Sequence, residues 1–143
     1  MLLGGEGMKR IVSGITLMPL LLAMLSLPFN IKLIKAEWTG TVYIRSDGRI
    51  DLPDAPIITY DNVTYTLTDN IDYGIVVERD DIIVDGAGYT VTGGLYGAVS
   101  LVDRSNVTIK NMEIEGSGRS GTGVYLERSS NNIIYGNNIT DKD

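Results

Sequence analysis

Residues 74–93 read GIVVERDDIIVDGAGYTVTG, residues 97–116 read GAVSLVDRSNVTIKNMEIEG, and residues 123–140 read GVYLERSSNNIIYGNNIT. Laid over one another, the three stretches keep their apolar landmarks. Val77, Leu101 and Leu126 are 24 and 25 residues apart, and Ile75, Val99 and Val124 repeat both steps. Ile134 follows Ile109, and Ile139 follows Ile114, by 25. The first unit carries a two-residue insertion at Asp85-Gly86-Ala87-Gly88. A unit recurring at nearly fixed length marks a solenoid, in which each copy covers the core of its neighbour.

Within a unit the apolar residues alternate, as Ile75/Val77, Ile82/Val84 and Tyr89/Val91, then Val99/Leu101, Val107/Ile109 and Met112/Ile114. A period of two in short runs rich in Val and Ile means strands with one buried face. Gly86, Gly88, Asn111, Gly116 and Gly136 fall between the runs, where the chain must turn. Three short strands per unit describe one coil of a parallel β-helix, so the fold class is all-β, a right-handed parallel solenoid of about three coils. A two-sheet sandwich also has short alternating strands, but nothing in it would repeat a whole unit. Inward columns are expected along Val77, Leu101 and Leu126 and along Val84, Ile109 and Ile134. Asp81, Asn106 and Asn131 share one turn column, where side chains can hydrogen-bond from coil to coil. Asn132 and Asn137 stand where Val107 and Met112 point inward; either those amides form internal ladders or the local register slips by one.

Residues 37–72 read as an N-terminal β cap: a strand at 41–44, a turn at Asp47-Gly48, a break between Pro53 and Pro56, and runs at 57–60 and 63–67 flanking Asp61-Asn62. Such a cap shields the first strand edge. Residues 73–143 hold the coils and stop just after the third, which reads as the N-terminal part of a longer protein or a truncated frame. Residues 1–36 read as a signal peptide or membrane anchor. Met8, Lys9 and Arg10 precede an uncharged run over 11–31, longer than the usual signal core of about 7–15 residues and close to the roughly 18 of a membrane span. Ala36 suits a cleavage position, whereas Ile34, Lys32 and Lys35 suit it less, so removal and retention both stay open. Either way the body is expected outside the cytoplasm, secreted or held at the cell surface by its leader.

Without residues 1–36 the chain has 8 Lys or Arg against 17 Asp or Glu, a net charge of −9. That excess repels phosphate backbones and anionic lipid surfaces, so neither nucleic acid nor a membrane, beyond the leader itself, is an expected partner. With no cysteine there is no disulfide to lean on, and stability must come from backbone ladders and stacked side chains.

The runs ERDDIIVDGAGYTV (78–91), SNVTIKNMEI (105–114) and SSNNIIYGNNIT (129–140) resemble the repeats of NosD-type right-handed β-helix proteins. These belong to a wider group of carbohydrate-binding proteins and sugar hydrolases sharing the pectate-lyase-like solenoid. The opening TVYIRSDGRIDLPDAPI (41–57) is similar to the start of many exported archaeal members. The likeness spans residues 41–143; it is specific for fold and weak for activity. The NosD name is tied to copper delivery, but copper favours imidazole, thiolate and thioether ligands. The chain has no His and no Cys, and Met112 alone among its methionines lies outside the leader, so the copper role does not carry over.

The resemblance also implies a search for carboxylates, with or without calcium, on an exposed face. Arg79, Asp80, Asp81, Asp85, Asp103 and Arg104 sit at or beside turns, where Asp is expected for local backbone bonding. No catalytic, cofactor or metal residue is therefore assigned; no cofactor is expected, with turn-held calcium as the alternative. The outward columns Val76/Ser100/Tyr125 and Thr90/Glu113/Asn138 bring no carboxylate pair together. Tyr125 and Tyr135 are the sugar-stacking candidates, with Asn138 near in sequence, while Tyr73 and Tyr96 precede glycines and are expected to pack at corners. GSGRSGTG (116–123) lacks the Lys-Ser/Thr pair and helix of a phosphate cradle and reads as an inter-coil loop. Asn62, Asn106 and Asn138 each open an Asn-X-Thr acceptor sequence for N-glycans. The functional expectation is a non-catalytic scaffold or carbohydrate-contacting module, with possible partners among polysaccharides or surface glycans. The alternative is the N-terminal part of a polysaccharide lyase or glycoside hydrolase whose catalytic coils lie elsewhere.

Overall fold

The computed structural model describes residues 39–117 and 121–141. The leader, and residues 118–120 of the Gly-Ser stretch, lie outside the described residues. Within them the chain forms twelve short strands: β1 (Val42–Ile44), β2 (Ile57–Ile58), β3 (Thr64–Leu67), β4 (Ile75–Val77), β5 (Ile83–Asp85), β6 (Thr90–Thr92), β7 (Val99–Val102), β8 (Thr108–Lys110), β9 (Glu113–Gly116), β10 (Val124–Glu127), β11 (Ile133–Tyr135) and β12 (Asn138–Asp141). They make three sheets, ordered β1-β4-β7-β10, β11-β8-β5-β3-β2 and β12-β9-β6. Every third strand from β4 onward pairs in parallel with its counterpart one coil away, which is the architecture the repeat implies. Parallel crossovers are right-handed as a rule.

The register follows the alternation. Ile44, Val77, Leu101 and Leu126 stand in one file, Tyr65, Val84, Ile109 and Ile134 in a second, and Val91, Ile114 and Ile139 in a third, extended downward by Ile71. The members from Ile44 to Ile114 are buried and form a single core, each contributing about 1.5–3 kcal/mol of apolar transfer relative to exposure. Residues preceding the strands take left-handed backbone: Asn62, Asp81, Asn106 and Asn131 have φ of 56°, 59°, 58° and 55°. Asn and Asp tolerate that region because their side chains can bond locally. The Asn106 amide donates to Asp81 Oδ1 at 2.9 Å, so this turn column is bonded along the solenoid axis.

The third coil keeps its register, and the inward amides explain how. Asn132 Oδ1 accepts from Val107 N–H at 2.8 Å while its amide nitrogen donates to Arg104 O at 3.3 Å. Asn137 does the same one corner on, accepting from Met112 N–H at 3.0 Å and donating to Ile109 O at 2.9 Å. Each side chain thus reaches back to main-chain groups of the preceding coil instead of to another amide.

One inward expectation is corrected. Tyr89 is 36% exposed, because the extra residues of the first coil are absorbed in the turn between β5 and β6, which pushes Tyr89 onto the surface. Gly86 takes the buried place instead; a Cβ there would lie 2.6 Å from Met112 Cα, so only glycine lets the next coil settle onto it.

Ahead of the coils, β1 and β3 each add a parallel strand, and β2 folds back antiparallel on β3. Asp51 N–H bonds Tyr43 O at 3.1 Å, so the following turn lies along the outer edge of β1. Buried Tyr65 pins that turn by donating from its hydroxyl to Gly48 O at 2.8 Å. On the opposite side β10, β11 and β12 have no further strand beside them among the described residues, which leaves Leu126, Ile134 and Ile139 half exposed.

Candidate functional site

The sheet β1-β4-β7-β10 turns an outward column of Tyr43, Val76, Ser100 and Tyr125 to its outer face. Two tyrosines stand at the ends and two small residues between, so the middle of the column is a trough. The corner at Tyr73-Gly74 and the arch of residues 94–97, which lie against one another, border it. Gly94 makes that arch possible, since a Cβ there would lie 2.8 Å from Gly97 O and 2.9 Å from Tyr73 O. Tyr96 then stacks on Tyr125 with ring centroids 5.6 Å apart and planes 24° from parallel.

The result is a cavity of about 100 Å³ lined mainly by Tyr43, Tyr73, Val76, Leu95, Tyr96 and Ser100. Ser100 is 2% exposed and is the buried polar residue among the described residues. No hydrogen bond within the described protein engages its hydroxyl. Since no fully occluded polar side-chain atom goes unpaired, that hydroxyl must face the cavity space. A shallower recess of about 370 Å³ adjoins through the shared Thr41 and Tyr73, whose corner is tied by Thr41 Oγ1 donating to Tyr73 O at 2.9 Å.

Among the described residues no charged side chain lines either space. The Arg45 guanidinium sits 4.4 Å from the ring centroid of the trough's end tyrosine, Tyr43, and is held there by Asp51 and by Glu78 at 2.7 Å. At the other end Tyr125 donates its hydroxyl to Glu127 Oε2 at 2.7 Å. That bond, reinforced by partial burial, raises the phenol above its ordinary range and keeps it protonated at physiological pH.

The sugar-stacking candidates do not meet. Tyr125 belongs to this trough, while Tyr135 lies on β11 in another sheet, 53% exposed. Tyr73 and Tyr96 do sit at corners, yet both open onto the cavity. A second recess of about 320 Å³ runs beside the β8–β9 and β11–β12 corners, lined by Asn111, Glu113, Asn137 and Asn138 among others. It offers amides and one carboxylate, with Asn138 Nδ2 bonded to Glu113 Oε2 at 2.6 Å, and no aromatic platform.

The turn carboxylates are occupied by coil-to-coil bonding. Asp80 accepts from Ser105 N–H at 3.0 Å, and Asp103 pairs with Arg128. Asp85 accepts from Ala87 N–H at 3.0 Å, from Asn111 at 3.2 Å and from Lys110 at 3.1 Å. Burial pushes the Asp85 carboxyl up, but the Ala87, Lys110 and Asn111 donors together outweigh it and hold it low. Arg104 donates to Val102 O and Glu78 O, and Arg79 lies over Gly48. Among the described residues no three His, Cys, Asp or Glu gather as a metal site. Asn62, Asn106 and Asn138 are all exposed, but the amides of Asn106 and Asn138 are engaged by Asp81 and Glu113.

The model of the family described as a right-handed beta helix region matches residues 58–143. No curated protein and no solved structure matches the chain.

Proposed function

Because the chain belongs to the right-handed beta helix family, we propose that it serves as an extracytoplasmic scaffold whose tyrosine trough contacts carbohydrate without turning it over. The observation that carries this reading is Ser100, a buried hydroxyl left unbonded among the described residues and lining a space walled by Tyr43, Tyr73 and Tyr96. Aromatic faces receive the C–H side of a sugar ring, and a hydroxyl that both donates and accepts fits the ring's edge. The likeness to NosD-type and pectate-lyase-like repeats supports a glycan as the ligand class, and the basic-then-apolar leader pattern supports an address outside the cytoplasm. The linings support a reading without turnover: among the described residues the trough has no carboxylate and the amide-rich recess has Glu113 alone, short of the paired acids of glycoside cleavage. The three Asn-X-Thr acceptors are proposed as modification sites, with Asn62 the readiest because no neighbour engages its amide among the described residues.

The test is to pass the full chain over an immobilised polysaccharide panel with and without calcium, and to assay the same glycans for new reducing or unsaturated ends. Retention without new ends is expected. New ends would replace the scaffold reading with an enzymatic one, and loss of all retention would remove carbohydrate from it.

A further inference from the structure

We infer that the trough selects an uncharged pyranose at the end or branch tip of a glycan and rejects hexuronates. This rests on the carbohydrate reading above and narrows it to a chemical class.

Charge decides first. A hexuronate carries its carboxylate at the ring edge, where the trough would have to pair it or leave it in water. Among the described residues the lining contains no Lys, Arg or His. Burying an unpaired carboxylate costs far more than the stacking of one ring returns. Arg45, which sits over the Tyr43 ring, is already committed to Asp51 and Glu78, so turning it toward a ligand would break two ion pairs. Beyond contact range, the net charge of −9 on residues 37–143 repels a polyanion on approach. An uncharged ring meets none of these penalties, and its hydroxyls suit the Ser100 side chain.

Size decides second. Sites that enclose drug-sized ligands run to about 300–1,000 Å³. The cavity of about 100 Å³ admits one ring at most, so the middle of a polymer cannot lie through it. A terminal ring can enter while its neighbour rests in the open recess beside Tyr73 and Thr41.

Ser100 makes the proposal separable from a structural role. Its hydroxyl bonds nothing among the described residues, so Ser100→Ala removes no hydrogen bond there and leaves the unfolding temperature unchanged. A residue that mattered only to the fold would behave in the opposite way.

The experiment is calorimetric titration of the full chain with cello-, manno- and galactohexaose, with hexagalacturonate, and with fully methyl-esterified hexagalacturonate, which keeps the uronate backbone but not its charge. At least one uncharged hexamer is expected to bind tenfold or more tighter than hexagalacturonate. Ser100→Ala and Tyr96→Ala are each expected to weaken that binding tenfold or more, with Ser100→Ala unfolding at the wild-type temperature. Hexagalacturonate binding as tightly as any uncharged hexamer, and sensitive to Ser100→Ala, would overturn the selectivity while leaving a carbohydrate site in the trough. Binding indifferent to both substitutions would place the ligand elsewhere and overturn the inference. No binding by any hexamer would overturn this inference and the carbohydrate reading together.

Discussion

The middle coil, β7 to β9, and the last one, β10 to β12, present the same interior positions and fill them by opposite means. In the middle coil Val107, Ile109 and Met112 are buried among side chains. In the last, the places of Val107 and Met112 fall to Asn132 and Asn137, and Ile134, the counterpart of Ile109, is 37% exposed. A position in this solenoid is therefore defined by where it points, and apolarity is one way of filling it. Where strands pack on both sides, an apolar side chain gains most. At the places of Val107 and Met112 in the last coil, the amides instead grip the main chain of the preceding coil.

The comparison breaks most readily at the paired isoleucines. Ile109→Ala should cost about 2–5 kcal/mol, because the surroundings of a fully buried residue cannot close over the lost atoms. Ile134→Ala, in the same file, should cost less than about 1 kcal/mol, since much of that side chain already meets solvent. Urea denaturation of the two variants checks this, and equal losses would mean that the last coil is packed as tightly as the middle one.

A sharper probe exchanges the filling itself. Asn137→Leu adds an apolar side chain to an interior position yet deprives Met112 N–H and Ile109 O of their partner. Leaving such groups unpaired costs about 1–3 kcal/mol, more than one-sided burial of a leucine recovers. Asn132→Leu should lose somewhat less, because its second bond, to Arg104 O at 3.3 Å, is the longer. A stability gain in either variant would show that apolarity dominates throughout the solenoid.

These contrasts also show what could be read from the chain. The inward files were legible because a period of two and a recurrence near 25 residues are properties of the sequence itself, and they fix the neighbours of Leu101 and Ile109. The amides at 132 and 137 were visible as exceptions, but their partners are backbone groups, which carry no sequence signal. Tyr89 was misplaced because an insertion can be absorbed on either side of a turn and pattern alone does not say which. The trough was missed for a different reason: the path of two corners brings Tyr73 and Tyr96 to one cavity with Tyr43 of β1. Its one sequence trace is the column Tyr43, Val76, Ser100 and Tyr125, in which small residues lie between aromatic ones. Tyr135 drew attention by residue type, and its strand carries it to another sheet.

The smallest expected effect compares the links between coils instead of their interiors. Asp85 joins the first coil to the second through Lys110 and Asn111, and Asp103 joins the second to the third through Arg128. Both carboxyls are held below their ordinary value, Asp103 chiefly by its bond from Arg128 and Asp85 by donors that outweigh its burial. A carboxyl whose pKa is lower folded than unfolded stabilises fully above the unfolded value, and that stabilisation disappears as pH falls through the folded one. The unfolding temperature should therefore stay level from neutral pH to about 5 and decline below about pH 4. Asp85→Asn should lower it at neutral pH and flatten the acid decline. Asp103→Asn should do so more weakly, because its partner side chain is 61% exposed against 24% for Lys110, and exposed pairs are screened by water and salt. Calorimetric scans at several pH values with and without added salt test the order. If the two variants changed the acid decline equally, the coil-to-coil links would differ less than the interiors they connect.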